Sequence, residues 1–265
     1  MRFSLNRPKL RRRRDDGTAT IEPAKLTPDP MSPPADPAPP YRITIRNFIG
    51  ITLLSVLIFV IGGIVLVKLD PSIFAPERAV LDKLIWASML ATIGVLASTG
   101  YVLASRTAMG WGIIGLNRPD PRWILIGMGV AVVVFFAGER LDALLGFGIM
   151  ETTRANYGPT LATQTGFIGL ILVLAVVLPI PLEIYFRGVL FNFLRGMTGT
   201  EVAIGFSALV YGLLFFNPET PVYIAYGVVH GAVLCLLYVR SGTLWTAIVA
   251  NGTIAALNLA AAAWL

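Results

Sequence analysis

Charged residues are scarce in this sequence. They make up 14% of the 265 residues, and 55% of the residues are hydrophobic. An average soluble domain carries about 25% charged residues, so a soluble globular domain is excluded. The alternating ten-residue segments that build membrane-spanning barrels are also missing. Apolar runs of about 17–25 residues follow one another instead, each long enough to cross a bilayer. The sequence therefore predicts an all-α, polytopic bundle of transmembrane helices.

Cysteine and histidine are almost absent, with one residue of each. The single cysteine, Cys235, excludes a disulfide within the chain and gives no information about the redox compartment. His230 lies five residues before it in an apolar run, which on a helix turns the two side chains about 140° apart. They do not readily share a metal ion, so we interpret His230 as a hydrogen-bonded packing residue.

Residues 1–41 differ in composition from the rest of the chain. They are first basic ("RPKLRRRRDD") and then rich in proline ("TPDPMSPPADPAPP"). Such a segment buries too little apolar surface to fold, which predicts a disordered cytoplasmic tail before a transmembrane domain over residues 42–265. No short apolar core follows the basic block, so a cleavable signal peptide is not indicated. We interpret the block as a topology signal that contacts anionic lipid headgroups; nucleic-acid binding is the weaker alternative, because no aromatic residues are interleaved.

The apolar runs predict seven spans, with eight as the alternative because the third and fourth are short or interrupted. The predicted spans are Phe48–Leu69, Val80–Ala104, Trp123–Ala137, Gly166–Ile180, Val202–Phe216, Val222–Val239 and Leu244–Leu265. The two halves of the chain do not carry matching interrupted spans, which argues against an inverted-repeat transporter.

Arginine and lysine positions predict the orientation of these spans. With the tail inside, the basic residues of the loops on that side are Arg106, Arg118, Arg122, Arg195 and Arg240. The basic residues of the opposite loops are matched by acidic ones, namely Asp70, Glu77, Asp82, Glu139, Asp142 and Glu151. Because cytoplasmic loops carry the excess of positive charge, we predict a multi-pass protein of the plasma (inner) membrane with a cytoplasmic N-terminus.

Two opposite charges lie deep in an apolar stretch, "LPIPLEIYFRGVLFNFLRG". A charge at the centre of a spanning helix costs about 2.5–3.5 kcal/mol on insertion scales. Glu183 and Arg187 are four residues apart, which places both on one helix face with the acid first. Pro181 predicts that a new helix begins there, with Glu183 in its first turn. The pair either fixes helix packing or marks a functional site, and the spacing alone does not decide between them.

The run "LEIYFRGVLFNFL" resembles the signature helix of the CAAX-protease and bacteriocin-processing family, also called Abi, a group of intramembrane metalloproteases. The first motif of that family reads Glu-Glu-x-x-x-Arg. Leu182 stands at its first Glu, whereas Glu183 and Arg187 match the second Glu and the Arg. The resemblance covers roughly residues 111–265 and implies the fold of that family.

The two later motifs of the family are matched in their flanking residues, but the metal-ligand positions are substituted. In "FSALVYGLLFFNP", Tyr211 stands at the Phe and Phe215 at the His of the motif Phe-x-x-x-His. After "YVRSGTLWTAIVA", which resembles the family's lead-in, Asn251 stands at the His and Ala255 at the Asn of the motif His-x-x-x-Asn. An amide in a helical bundle ordinarily finds a polar partner on a neighbouring helix, so we expect Asn251 to donate a hydrogen bond to Glu183.

The resemblance implies a reaction in which a Glu activates a water molecule at a metal ion. In the family this metal is zinc, and two histidines help to bind it. A zinc site needs about three His, Cys or carboxylate ligands and an open position, and the substituted positions offer none. We therefore expect no cofactor and no metal, and a pseudoprotease that binds membrane segments or peptides. Its expected partners are membrane lipids and a membrane protein or peptide, but no nucleic acid. The best site candidates are Glu183, Arg187 and Asn251.

Two alternatives remain open at this point. The first is an active intramembrane metalloendopeptidase with relocated ligands. The second is a transporter or immunity-type membrane protein that uses the buried charges for a proton or an ion.

Overall fold

The computed structural model describes residues 43–73, 75, 78–106, 110–146, 148–216 and 223–264, and among these it contains helices and no strand. The predicted tail, residues 1–41, lies outside the described residues. The helices are α1 (Ile45–Leu69), α2 (Val80–Arg106), α3 (Pro121–Leu145), α4 (Ile149–Leu161), α5 (Gln164–Thr198), α6 (Thr200–Gly212), α7 (Tyr223–Ser241) and α8 (Leu244–Trp264). A short 3-10 segment, Gly110–Ile114, precedes α3, and another, Leu213–Phe215, extends α6.

The structure confirms an all-α membrane bundle. In the described part of the chain, α1, α2, α3, α5, α7 and α8 are long and apolar enough to cross a membrane. The fifth predicted span corresponds to the shorter apolar helix Thr200–Phe215. The third span is longer than predicted, because α3 continues past the charged residues Glu139, Arg140 and Asp142 to Leu145.

The predicted helix start at Pro181 is wrong. Helix α5 runs without interruption from Gln164 to Thr198, and Leu178 before the prolines keeps right-handed helical dihedral angles. Two π-helical segments, Ile171–Val177 and Ile184–Phe191, flank the prolines. Local π-helical adjustments satisfy backbone groups that a proline frees inside a membrane helix, so the helix tolerates Pro179 and Pro181 in its interior.

Helices α1 and α2 pack closely through small residues. The hydroxyl oxygens of Ser55 and Ser98 lie 2.6 Å apart, and a Cβ at Gly94 would lie 2.9 Å from the Ser55 carbonyl oxygen. Much of the rest of α1, including Leu53, Val60, Ile64 and Leu69, is exposed and apolar. Close backbone approach at small residues and interhelical hydroxyl contacts are typical of helix pairs in lipid.

Helix α4 was not predicted, because its sequence "IMETTRANYGPTL" is polar and contains a proline. It is shorter than the spanning helices. Asp142, near the end of α3, accepts hydrogen bonds from the backbone N–H groups of Ile149 (3.1 Å) and Met150 (3.4 Å). A carboxylate at this end satisfies otherwise unpaired donors of the first turn. Burial raises the pKa of the Tyr157 hydroxyl on the same helix.

Candidate functional site

The Glu183–Arg187 pair lies at the centre of the candidate site. Both side chains are completely buried, and Arg187 Nη1 donates to Glu183 Oε1 over 3.1 Å. The charged groups therefore face the inside of the bundle and not lipid, as predicted from their spacing. Because two unpaired charges would cost about 5–7 kcal/mol on insertion scales, the direct ion pair is a large part of what makes this burial tolerable.

Arg187 has two further partners on neighbouring helices. Its Nη2 donates to the backbone carbonyl oxygen of Gly231 on α7 over 2.9 Å. Its guanidinium lies over the ring of Tyr211 on α6, with Cζ 4.3 Å from the ring centroid. A carbonyl oxygen and an aromatic face both stabilise a cation. The guanidinium thus joins α5, α6 and α7 at one point.

Gly231 brings the acceptor carbonyl within reach because it has no side chain. A Cβ at this position would lie 3.0 Å from Tyr211 Cδ1 and 3.1 Å from Ala208 Cα. Gly227 and Gly231 are four residues apart in "GVVHG", the small-xxx-small pattern that lets membrane helices approach closely. Helices α6 and α7 therefore cross at the site itself.

Asn251 on α8 completes the cluster around Glu183. Its Nδ2 donates to Glu183 Oε1 over 2.7 Å, as predicted. The next residue, Gly252, lies against the carbonyl oxygen of Ala175 on α5, where a Cβ would collide. This contact holds α8 close enough to α5 for the amide to reach the carboxylate. Glu183 Oε1 consequently has two donors, whereas Glu183 Oε2 has no hydrogen-bond partner among the described residues.

His230 does not behave as predicted. It is buried, but neither ring nitrogen has a hydrogen-bond partner in the described part of the chain. Its ring lies among aromatic rings, with centroid distances of 5.6 Å to Tyr211, 6.0 Å to Tyr226 and 6.2 Å to Phe215. The interpretation as a hydrogen-bonded residue is wrong, because the neighbouring rings contact the imidazole without placing a hydroxyl group within hydrogen-bonding distance of either nitrogen, among the described residues.

The other positions that carry the family motifs take up packing roles. Phe215, at the position of a family histidine, contacts Tyr211 and His230 with centroid distances of 5.7 and 6.2 Å. Leu182 packs against the hydrophobic core. Ala255 is partly buried, one turn after Asn251 on α8. The structure thus brings Glu183, Arg187 and Asn251 together, whereas Leu182, Phe215 and Ala255 carry only apolar side chains.

The residues present do not fit a zinc site. Among the described residues, no three His, Cys, Asp or Glu side chains lie close enough to hold one metal ion. Glu183 Oε1 is taken by Arg187 and Asn251, and His230 is surrounded by rings. A zinc centre requires about three such ligands.

Comparison with models of known protein families identifies the same region of the chain. Residues 164–257 match the family model described as type II CAAX prenyl endopeptidase Rce1-like. This match confirms the resemblance seen in the sequence. The Rce1-like segment covers about a third of the chain, from the start of α5 into α8, and contains the whole Glu183 cluster. The comparison with curated proteins and the comparison with solved structures gave no match. The protein is an integral membrane protein with a CAAX-protease-like segment.

Tyr211 and Gly231 belong to the site, but sequence reasoning did not assign them a role in it. The signal for Gly231 was present as the "GVVHG" repeat of small residues in an apolar run. Tyr211 was placed only at the Phe of a family motif, and an aromatic residue in a spanning helix is usually a packing residue. Its contact with Arg187 depends on how α5 and α6 pack, which the sequence does not state.

Proposed function

We propose that the protein is a catalytically inactive relative of the CAAX proteases, a pseudoprotease that binds membrane segments or peptides without cleaving them. The main support is the donor set at the site. The positions of the family's first Glu, its two histidines and its Asn hold Leu182, Phe215, Asn251 and Ala255. The remaining acid, Glu183, accepts from Arg187 and Asn251 through one oxygen, which suits a structural ion pair better than water activation.

Retention of the fold supports a binding role. The Rce1-like segment keeps the Glu183–Arg187 pair, the α6–α7 crossing and the α5–α8 contact although the ligand residues are gone. A buried ion pair is expensive to keep in a membrane, so its presence argues for a helix arrangement that is still used. On this proposal the region that matches the endopeptidase family binds a peptide without the groups that would cleave it.

A binding and cleavage assay on purified full-length protein tests this proposal. The probe is a short prenylated peptide, with an unprenylated peptide of the same sequence as its control. We expect saturable binding of the prenylated peptide, full recovery of intact peptide by mass spectrometry, and no effect of a chelator. Chelator-sensitive cleavage would establish the active-enzyme alternative and contradict the proposal. Absence of saturable binding would contradict the binding role.

The same preparation discriminates the transport alternative. Reconstituted in liposomes with a pH-sensitive dye inside, the protein is expected to give no proton flux above empty liposomes. Flux that disappears in Glu183→Gln would identify a transporter that uses the buried carboxylate.

The proposed site lies in the plasma (inner) membrane with the N-terminus in the cytoplasm. Basic residues support this orientation, because Arg122, Arg195 and Arg240 lie near the ends of α3, α5 and α7 that the chain order assigns to the tail side. We expect the C-terminus after α8 on the opposite side. A C-terminal alkaline phosphatase fusion should then be active and a C-terminal fluorescent-protein fusion dark; the reverse pattern would overturn the orientation.

A further inference from the structure

The lipid-facing surface of α3 is bounded by two exposed arginines, Arg122 and Arg140. Arg140 follows Arg122 by 18 residues, which is five helical turns, so both lie on one face about 27 Å apart along the helix. Between them, Leu125, Val133 and Phe136 are largely exposed and apolar. Because a charge in the hydrocarbon core of a bilayer is expensive, the two arginines limit the apolar band on this face to about 27 Å.

Helix α1 carries a longer apolar band. Its exposed basic residues Arg46 and Lys68 are 22 residues apart, which is about 33 Å along the helix, and Leu57 near the middle is exposed. Long basic side chains snorkel toward the interface on both helices, so snorkelling lengthens both bands and leaves their difference of about 6 Å. A hydrocarbon core is about 30 Å thick, so the band of α1 spans it and that of α3 falls short.

Helix α6 carries a second short band. Its apolar stretch begins after the exposed Glu201 and runs from Val202 to Phe216, a length of about 22 Å. Its lipid-facing side chains, all largely exposed, are Phe206, Leu209 and Leu213. Helix tilt shortens the thickness that such a segment covers, so tilting does not remove the shortfall.

The two short bands lie beside the same helix, α7. A Cβ at Gly138 on α3 would lie 3.0 Å from Tyr226 Cε2, and a Cβ at Gly212 on α6 would collide with Val228. Helix α1 instead packs against α2, where Ser55 contacts Gly94. We call the exposed residues of α3 between Arg122 and Arg140, together with those of α6 from Val202 to Phe216, the α3–α6 surface.

Bulky side chains make lipid, and not another helix, the partner of the α3–α6 surface. Membrane helices approach one another at small residues that are typically four positions apart. The exposed Gly129 of α3 has Leu125 and Val133 at those positions, and the exposed Gly205 of α6 has Leu209 four residues later. Neither helix therefore presents the pattern of small residues on which a second transmembrane helix would pack closely.

We propose that the α3–α6 surface selects phospholipids with short acyl chains and thins the bilayer on this side of the protein. A hydrophobic segment shorter than the hydrocarbon core is accommodated by local thinning, and short acyl chains supply the smaller thickness with the least distortion. The proposal concerns the lipid-facing surface and does not depend on the peptide-binding role.

Fluorescence quenching in proteoliposomes of the full-length protein tests this proposal. A bimane label is attached to Val133→Cys on α3, Leu209→Cys on α6 or Leu57→Cys on α1, which are exposed positions. The native Cys235 is buried, and the unsubstituted chain measures its background. The membrane is an equal mixture of phosphatidylcholines with 14-carbon and 22-carbon chains, and bromine quencher is carried by one of the two. The two quenching values give the ratio of short to long chains at each label.

We expect this ratio to be about two- to fivefold higher at the α3 and α6 labels than at the α1 label, because the cost of mismatch rises with each ångström. Equal ratios at the three labels would overturn the proposal. Absence of quenching at α3 and α6 in both mixtures would also overturn it, since protein and not lipid would then cover the surface.

A charge variant with two controls tests the role of Arg140. Arg140→Leu removes the boundary and joins the band to the exposed Leu144 one turn later, so the ratio at the Val133→Cys label should fall to the α1 value. Arg140→Lys keeps the charge, and Arg118→Leu removes an arginine from the exposed segment before α3; both should leave the ratio unchanged. An unchanged ratio in Arg140→Leu would overturn the proposal. If that variant does not fold, the comparison of the α3 and α1 labels still decides it.

Discussion

Asn251 and Glu183 are 68 residues apart in the chain and lie on different helices, yet the amide Nδ2 donates to the carboxylate Oε1 over 2.7 Å. Arg187 donates to the same oxygen. Glu183 therefore binds both Arg187, four residues away on its own helix, and Asn251 on α8. The contact joins two of the three motif regions that resemble the CAAX-protease family.

Removing one partner of the ion pair should cost more than removing both charges. Arg187→Leu leaves a buried, uncompensated carboxylate, which costs about 3–5 kcal/mol in soluble proteins. The double variant Glu183→Gln with Arg187→Leu leaves no buried charge and should keep more folded protein. The measurement is the fraction of monodisperse protein extracted from membranes, followed by size-exclusion chromatography. Equal losses in the single and double variants would show that the two charges do not stabilise each other.

Asn251→Ala should destabilise the bundle, because it removes a donor to a buried carboxylate. A hydrogen bond to a charged group contributes about 1.5–3 kcal/mol. Thr253→Val on the same helix is the matched control, since the Thr253 hydroxyl donates only to the Val249 carbonyl of its own helix (2.8 Å). Thermal unfolding in detergent should show a lower midpoint for Asn251→Ala than for Thr253→Val. In a Glu183→Gln background the effect of Asn251→Ala should shrink, and an unchanged effect would contradict the contact.

Gly252→Ala should also loosen the site, because the new Cβ collides with the Ala175 carbonyl oxygen. Overpacking of this kind typically costs about 1–3 kcal/mol. Gly129→Ala on α3 is the control, since among the described residues no atom beyond its own stretch of helix lies within 4 Å of the added Cβ, and Ala favours a helix over Gly by about 1 kcal/mol. We expect a lower unfolding midpoint for Gly252→Ala and an equal or higher one for Gly129→Ala. The opposite order would mean that α8 does not approach α5 at Gly252.

Tyr238→Phe should release the segment before α3 from the bundle. The Tyr238 hydroxyl donates to the Ile114 carbonyl (3.2 Å) and accepts from Asn192 Nδ2 (2.9 Å). Loss of the hydroxyl removes both bonds and should cost about 1–3 kcal/mol through the unpaired buried groups. Tyr101→Phe, at an exposed ring, is the control and should leave the midpoint unchanged. Faster proteolysis near Gly110 in Tyr238→Phe alone would support the role, and identical digestion patterns would contradict it.

Features that depend on nearby residues in the sequence were predictable, whereas features that depend on how the helices pack against one another were not. The pairing of Glu183 with Arg187 followed from a spacing of four residues on one helix, and apolar run length placed the spanning helices. The hydrogen bond from Asn251 to Glu183 was expected because an amide in a helical bundle ordinarily finds a polar partner on a neighbouring helix. The continuity of α5 through Pro181 was not predictable, because the π-helical segments that accommodate the prolines depend on the helices around them. The aromatic surroundings of His230 likewise arise only when α6 and α7 pack together.

The most direct test of the account is the zinc content of protein purified without chelators, measured by inductively coupled plasma mass spectrometry. The positive control is the variant with Leu182→Glu, Phe215→His, Asn251→His and Ala255→Asn, which restores the family residues at all four substituted positions. The account predicts far less than stoichiometric zinc in the wild type, with no change on Glu183→Gln. Stoichiometric zinc in the wild type that is lost on Glu183→Gln would contradict it.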